Sequence, residues 1–251
     1  MKVEQNYPHD RSSHSNSKFA VRSYELEHLD TGNYTPEEYE GCITELQVVN
    51  RWLGDVRALR ESLFEQIKQE QLSDFSLLDV GAGSGELLRV TAKWADEQQK
   101  AFKLFGLELN RRSAEAIKEE STAFKSIFAL QGDALRLPFA NRTFDYAICS
   151  LFTHHFKDDQ VVAILKELAR VVRRRFFVID LHRHPVAYYF YTTIANLFSH
   201  NRLIKEDGAL SIRRSFKPHE LFELAQRAEL DGIEVRRVFP YRLVLTASAK
   251  S

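Results

Sequence analysis

The 251-residue sequence predicts an α/β fold built on an open, mostly parallel sheet. The first observation is an apolar run from Phe75 to Val80, which breaks into Gly81, Gly83 and Gly85 and continues as a helical apolar pattern. The second is the alternation of short apolar runs with amphipathic helical segments along the chain. The third is a closing pair of apolar runs separated only by Pro240, which is typical of an antiparallel hairpin.

The chain divides into three parts. Residues 1–34 begin polar and rich in serine, histidine and asparagine, so we expect a mobile N-terminal segment, of which Tyr24 to Asp30 can pack back on the domain. Residues 35–70 predict a helical arm, and residues 71–251 predict the sheet domain. The length of the chain is enough for one such domain to bury a sizeable core.

The helical arm has clear start signals. Thr35, Pro36 and Glu38 have the pattern of a capping box, with Thr35 as the N-cap and proline at the first helical position. The helix stops at Gly54, and Asp55 is expected to cap a second helix. The broad apolar face of the first helix comprises Tyr39, Ile43, Leu46, Val49, Trp52 and Leu53.

Seven apolar runs predict seven strands, in a parallel-then-antiparallel order. The predicted strands are 75–80, 103–109, 127–130, 144–149, 176–181, 233–239 and 241–247. The predicted helices between them are 87–94, 113–118, 157–169 and 218–228. An aromatic, apolar segment within residues 183–216 is foreign to this minimal alternation.

The spacing of the glycines indicates the kind of ligand. A dinucleotide fingerprint places its third glycine one position later, where this chain has Glu86. Here Asp79 precedes Gly81 by two positions and completes a D-x-G-x-G-x-G pattern. Glycine lets the backbone approach a nucleotide-like ligand, and the following helix start adds free N–H groups.

This motif, with "GDALRLPF" and "FDYAICS" downstream, resembles the class I S-adenosylmethionine (SAM) methyltransferases from Leu77 to Cys149. The resemblance implies a Rossmann-like seven-stranded class I methyltransferase sheet, and an enzyme that uses S-adenosyl-L-methionine to transfer methyl groups. Glu108 ends strand two, where an acid can accept hydrogen bonds from ribose. The implied cofactor-binding residues are Asp79, Gly81, Ala82, Gly83, Gly85, Glu108, Leu109, Asp133, Ala134 and Ser150.

Three further stretches are similar to one small-molecule subgroup of these enzymes, whose members act on phenols and lipids and accompany type III polyketide synthases. They are "NRWLG" before the core, "SLFTHHF" after strand four, and "DLHR" with "SIRRSF" around the segment after strand five. The similarity implies a small aromatic or lipid-like acceptor, with O-methylation favoured, and a lid at 183–216. The absence of N-P-P-Y after strand four argues against methylation of DNA or glutamine.

His154 and His155 follow strand four, where the sheet edge faces the reaction. A phenol must lose its proton near pH 7, and histidine suits that task. We expect one histidine to face the pocket, since successive residues of an extended tip point opposite ways. His155 is the predicted base, oriented by Asp180 and His182, while His154 packs under the strand end; the alternative is that both only line the pocket. No metal is expected, because adjacent histidines seldom share one ion.

The lid is expected to close an apolar acceptor pocket, because its aromatic residues exceed what one buried helix face hides. A dimer interface is the rival explanation. The predicted acceptor-binding residues are Phe152, His182, Arg183, Tyr188, Tyr189 and Arg213.

Composition limits the partners. Lys+Arg and Asp+Glu are equal at 35 each, so no net charge recruits nucleic acid or an anionic membrane. We expect a small-molecule acceptor, no nucleic acid, no membrane span, and a monomer or homodimer. Cys42 and Cys149 are too few for a disulfide framework, and together with the polar start they favour a cytoplasmic protein. The open alternatives are a methyltransferase of RNA or protein and a non-catalytic SAM-fold partner subunit, although the intact motif residues argue against the latter.

Overall fold

The computed structural model describes residues 17–35, 37–38, 41, 54–199 and 201–249, which form one seven-stranded sheet in the order β3-β2-β1-β4-β5-β7-β6. The strands are β1 Asp74–Val80, β2 Ala101–Glu108, β3 Ile127–Gln131, β4 Phe144–Ser150, β5 Val172–Leu181, β6 Asp231–Val238 and β7 Arg242–Ser248. Strands β1 to β5 are parallel, and β7 is antiparallel to both β5 and β6. The predicted sheet with its closing antiparallel hairpin is confirmed.

Helices cover both faces of this sheet. Their bounds are α1 His28–Thr31, α2 55–69, α3 Glu86–Glu97, α4 Arg111–Glu120, α5 Asp158–Val171, α6 Pro185–Phe198, α7 Arg202–Arg214 and α8 Pro218–Arg227. Among the described residues, no helix is long and apolar enough to cross a membrane.

Strand β1 is buried on both sides. Leu78 and Val80 belong to the core shared with α5 and α8, whereas Phe75 and Leu77 belong to the core under α2 and α3. Because successive strand residues point to opposite faces, a strand covered on both faces must be apolar throughout. This explains the continuous run that leads into the glycines.

Residues 17–35, which we call the strap, pack on the sheet domain. Phe19 is 1% exposed, and Arg22 and Glu27 are buried as well. Residues 17–34 thus pack on the domain, while the mobility expected for residues 1–34 stays a prediction. The strap packs because its charged side chains pair with groups far away in the sequence. The polar composition of the segment does not indicate these contacts.

The helical arm is described in part. The capping box forms: the Glu38 N–H donates to Thr35 Oγ1 at 3.2 Å, and the Thr35 N–H donates to Glu38 Oε2 at 2.9 Å. The remainder of that predicted helix, including the "NRWL" stretch, lies outside the described residues. Helix α2 begins at Asp55 with Gly54 as its N-cap, and the Asp55 carboxylate instead accepts a hydrogen bond from buried Arg242 Nε at 2.5 Å.

The segment after β5 folds as two packed helices, α6 and α7. Tyr191 on α6 packs against Ile212 on α7 and donates a hydrogen bond to the Ile204 carbonyl at 2.5 Å. The two helices meet closely at Gly208, where an added Cβ would lie 2.0 Å from the Tyr191 hydroxyl. This helix pair stands at the carboxyl end of β5, where the lid is predicted.

Candidate active site

The glycine loop between β1 and α3 presents bare backbone at the carboxyl edge of the sheet. Gly81, Gly83 and Gly85 have φ values of 72°, 57° and 81°, in the left-handed region that favours glycine. A Cβ on Gly81 would also lie 2.4 Å from the ring of Phe152, which follows β4. The loop therefore has the conformation that the D-x-G-x-G-x-G spacing predicts.

Asp79, just before this loop, is 1% exposed, and neither of its carboxylate oxygens has a hydrogen-bond partner in the described part of the chain. Burial raises the pKa of this carboxyl to about 8, and the charge of Glu108 adds to the rise. A buried acceptor without a donor is costly. The site therefore fits a ligand that brings a cationic donor, and the amino acid portion of SAM carries an ammonium group.

Glu108 ends β2 beside the same loop. Its Oε1 accepts a hydrogen bond from the Gly83 N–H at 2.5 Å. Burial raises the pKa of Glu108, although the N–H groups of Gly83 and Leu109 oppose the rise. Since a carboxylate has several acceptor positions, Glu108 can hold the loop and still accept from a ribose hydroxyl.

The other predicted cofactor residues follow the ends of β2, β3 and β4. Asp133 Oδ1 accepts a hydrogen bond from the Leu135 N–H at 2.9 Å, which fixes the turn after β3. Ala134 is buried, Leu109 is exposed, and Ser150 is the last residue of β4. The structure thus brings the predicted cofactor residues to one edge of the sheet; their contact with the cofactor stays a prediction.

His154 forms a buried pair with Asp180 at the carboxyl ends of β4 and β5. His154 Nδ1 lies 2.6 Å from Asp180 Oδ1, and their side chains are 3% and 0% exposed. Thr153 Oγ1 and the His154 N–H donate to Asp180 Oδ2 at 2.5 Å and 3.1 Å. Burial alone would raise the pKa of Asp180, but His154 and Thr153 bring it to about 2. An ionised carboxylate can only accept, so the short contact assigns a proton to His154 Nδ1.

This pairing corrects the predicted roles of the two histidines. Asp180 orients His154, and not His155 as predicted. Residues Thr153–His155 form a single 3₁₀ turn where an extended tip was assumed, so the two rings lie side by side with centroids 4.3 Å apart. Among the described residues, the ring of His182 contacts His184 and Tyr241, and no contact with His154 or His155 is found. His182 lines an apolar pocket, and burial, with help from Arg237, lowers its pKa to about 3.

Two carboxylates of the strap reach the histidines, and the sequence analysis did not assign them. His155 Nδ1 lies 3.2 Å from Asp30 Oδ1 and 3.9 Å from Glu27 Oε2. Glu27, His154 and His155 each place one nitrogen or oxygen atom within 4.8 Å of the others. Arg214 Nη1 lies 3.5 Å from Glu27 Oε1, so we interpret the group as a hydrogen-bonding cluster. The expectation of no metal stays a prediction.

Two buried arginines clamp the turn that carries the histidines. From the strap, Arg22 donates to the carbonyls of His154 and Phe156 at 3.4 Å and 3.1 Å. From α7, Arg214 donates to the carbonyls of His154 and His155 at 3.3 Å and 2.8 Å. The "SIRRSF" stretch, which contains Arg214, is the sequence feature that points to this clamp. The sequence alone does not indicate which groups its arginines contact.

Two predicted acceptor residues have structural roles. The Arg183 guanidinium is buried and donates to the carbonyls of Phe19, Ala20 and Ser215 and to Glu220. Arg213 pairs with the exposed Glu25 on the strap at 3.2 Å. Both arginines thus hold the strap, and their contact with the acceptor stays a prediction.

The two predicted tyrosines also face the strap. Lys18 Nζ donates to the Tyr188 hydroxyl at 2.7 Å, and the rings of Tyr188 and Tyr189 lie 5.3 Å and 6.2 Å from that of Phe19. Phe152 lies over Gly81, between the glycine loop and the turn. Of the six predicted acceptor residues, only His182 lines the apolar pocket.

The apolar pocket has a volume of about 220 Å³ and lies where β5, β7 and the lid meet. It begins at Leu181 and His182, directly after Asp180. Its apolar lining includes Val186, Ala187, Phe190, Tyr191, Ile212 and Phe239. The pocket therefore shares the carboxyl end of β5 with the carboxylate that orients His154.

Known proteins resemble this chain in sequence over its central part. Residues 77–175 match a family model described as a methyltransferase domain. The demethylmenaquinone methyltransferase of Bacillus licheniformis is 29% identical over 96 residues, which are 38% of this chain and 39% of that protein. The chain thus matches about two fifths of the length of that relative.

Solved structures show the same fold. A SAM-dependent methyltransferase from Aquifex aeolicus has a TM-score of 0.55 and 17% identity, covering 78% of this chain and 89% of that one. Magnesium protoporphyrin IX methyltransferase from Synechocystis PCC 6803 with bound SAH has a TM-score of 0.55 and 14% identity, covering 78% and 84%. The fold is that of the class I SAM-dependent methyltransferases, and S-adenosyl-L-methionine is the cofactor of that class.

Proposed function

We propose that this chain transfers a methyl group from SAM to a hydroxyl of a small aromatic or lipid-like acceptor, with His154 as the general base. The observation that carries the proposal is the buried pair of His154 and Asp180 at the sheet edge next to the glycine loop. A histidine oriented in this way suits an acceptor that must lose a proton, which supports a hydroxyl as the acceptor group.

The cofactor supplies a methyl group already activated on a sulfonium, so the protein must align the acceptor and exclude water. We propose that Asp79 accepts a hydrogen bond from the cofactor ammonium, and that Glu108 accepts from the ribose hydroxyls. Gly83 leaves space for the cofactor against the backbone, whereas the side-chain position of Gly81 is filled by the Phe152 ring. Asp133 and the Ala134 N–H would hold the adenine edge.

His154 is suited to take a proton from a phenolic hydroxyl. The Asp180 carboxylate fixes the ring and stabilises the imidazolium that forms, and the clamp by Arg22 and Arg214 fixes the turn. Proton transfer to a positioned base contributes about 10²–10⁴-fold to the rate. Oxygen is therefore favoured over an amine as the acceptor atom.

The pocket beside the pair supports an acceptor with apolar surface. Its lining is aliphatic and aromatic apart from neutral His182 and the polar ends of Tyr241 and Arg242. A pocket of this kind favours a ring or hydrocarbon over a charged polymer. The zero formal net charge of the chain agrees with an uncharged acceptor.

The test is an assay with SAM labelled in its methyl group, against lipid extract, total RNA and total protein of the source cells in parallel. The proposal expects label in an organic-soluble product whose methyl group is on oxygen, and no such product with His154→Gln. Label in RNA or protein would support the rival class of acceptor. SAH binding without any methylated product would support a partner subunit.

A further inference from the structure

The proposed general base is enclosed, and its proton must leave after each turnover. In the proposed reaction the acceptor O–H bond breaks and its proton moves to His154. The S–CH₃ bond then breaks with its electron pair left on sulfur, and the O–CH₃ bond forms. Each turnover thus leaves one proton on a ring whose side chain is 3% exposed.

We propose that Glu27 of the strap relays this proton from His154 to His155 and Asp30, which return it to solvent. This inference rests on the proposed function, because it assumes that His154 takes the acceptor proton. It gives the strap a role in turnover in addition to packing.

The geometry supplies the path. Glu27 is buried, with 4% of its side chain exposed, and lies in one cluster with both histidines, whose ligand atoms are within 4.8 Å of each other. The next groups outward are His155 and Asp30, whose side chains are 28% and 26% exposed. Exposure thus rises from His154 and Glu27 to His155 and Asp30.

The hydrogen bonding of Glu27 and His155 is consistent with a proton passing between them. Glu27 Oε1 accepts from Ser211 Oγ at 2.9 Å, which leaves Oε2 turned towards His155. His155 Nδ1 is 3.2 Å from Asp30 Oδ1 but is not aligned for a hydrogen bond, and it has no partner in the described part of the chain. Small rotations of this ring would therefore change its partner between the two carboxylates.

The electrostatics allow Glu27 to hold a proton. Burial raises the pKa of Glu27 against the opposing effects of His155 and Arg214, while Asp30 adds to the rise. Although burial opposes it, His155 and Arg214 hold the pKa of Asp30 well below its usual range. The charged and titratable groups facing Glu27 are thus Arg214 from α7, His154 and His155 from the turn, and Asp30 from α1.

The test is a pH titration of the histidine rings by two-bond ¹H–¹⁵N correlation spectra of the full-length protein, which needs neither cofactor nor acceptor. The resonances are assigned with His154→Gln and His155→Gln. We expect Glu27→Gln to lower the titration midpoint of at least one of the two rings by about one pH unit, since a nearby carboxylate stabilises imidazolium. Glu25→Gln, on the same strap but 63% exposed and paired with Arg213, is the matched control and should leave both midpoints unchanged.

A second variant covers the case in which Glu27→Gln does not fold. Asp30→Asn removes the carboxylate nearest His155 and should lower the midpoint of that ring. Unchanged midpoints of both rings in the folded variants would overturn the relay, and would leave the proposed methyl transfer standing, because that transfer is measured by product formation. Because a nearby carboxylate moves a ring's midpoint whether or not it carries a proton, the relay also requires Glu27→Gln to slow turnover more than Glu25→Gln does; equal turnover in these two variants would overturn the relay.

Discussion

The carboxyl edge of the sheet carries two regions that are built differently. The cofactor region, at the ends of β1 and β2, is mostly backbone: three left-handed glycines with two carboxylates beside them. The proposed acceptor region, at the ends of β4 and β5, is mostly side chains, and these come from the strap, the 3₁₀ turn, β5 and α7. A binding loop made of backbone groups suits a cofactor that is the same in every reaction. A site made of side chains from separate segments can differ with the acceptor.

If the two regions act separately, replacing the proposed base should slow turnover strongly and leave the affinity for SAM unchanged. His154→Gln removes the acceptor nitrogen and leaves Asp180 a partner for one hydrogen bond. We expect the turnover rate to fall by about 10²–10⁴-fold with an unchanged dissociation constant for SAM, measured by initial rates and calorimetry. A larger loss in His155→Gln than in His154→Gln would restore the original assignment of His155 as the base.

The cofactor region should be sensitive to a single methyl group. Gly81→Ala places a Cβ at φ 72° and 2.4 Å from the Phe152 ring, whereas Gly83→Ala, at φ 57°, meets no atom within 4 Å. In both variants the alanine must adopt a left-handed backbone conformation, which costs about 1–2 kcal/mol. Gly81→Ala should lose about a further 1–3 kcal/mol from the clash. Calorimetry with SAH and denaturant unfolding together measure the difference; equal behaviour of the two variants would mean that Phe152 is free to move away.

The acceptor region should depend on the strap for its stability. Arg22→Ala removes the donor to the carbonyls of His154, Phe156 and Arg214, which are partly or fully buried. We expect the free energy of unfolding to fall by about 1–3 kcal/mol, measured in urea. Arg213→Ala removes an ion pair to an exposed glutamate and should cost less than about 1 kcal/mol.

The two regions should also differ in the pH dependence of stability, because their buried carboxyl groups have pKa values shifted in opposite directions. Since the pKa of Asp79 is raised to about 8, the folded protein keeps a proton that the unfolded chain loses near pH 4. This group therefore lowers stability as pH rises from about 4 to 8. A cationic ligand favours ionised Asp79, so SAM affinity should rise by roughly fivefold between pH 7 and 8. Asp79→Asn should remove this dependence; its persistence in that variant would assign it to another group.

The contribution of Asp180 to stability depends on pH in the opposite direction from that of Asp79. Its folded pKa of about 2 lies below the unfolded value, so its contribution to stability is present above about pH 4 and is lost as pH falls towards 2. Acid unfolding of Asp180→Asn should therefore begin from a lower stability and depend less on pH in this range.

The glycine loop could be predicted from the sequence because its information is local. The residues from Asp79 to Gly85 are consecutive, and three left-handed positions in a βα turn admit little besides glycine. Strand periodicity likewise predicted the seven strands, since each run carries its own pattern. The bounds differ by a few residues, as with β5, which begins at Val172 where the arginines of its exposed start hide the strand.

The acceptor region could not be predicted in the same way. Which histidine meets Asp180 depends on a 3₁₀ turn and on a carboxylate 26 residues away. The contacts of Arg22 span more than 130 residues, so nothing near it in sequence indicates that it is buried. Glu27 has no motif of its own, and only the folded strap brings it to His155.

The central claim is that the glycine loop and Glu108 bind SAM, and calorimetric titration of SAM into wild type and Glu108→Ala tests it most directly. The account predicts saturable binding to wild type and a loss of about 10–100-fold in the variant, because hydrogen bonds to a charged group contribute about 1.5–3 kcal/mol each. The circular dichroism spectrum of the variant should be unchanged. Binding of NADH as tight as that of SAM, or equal SAM affinity in both proteins, would contradict the assignment.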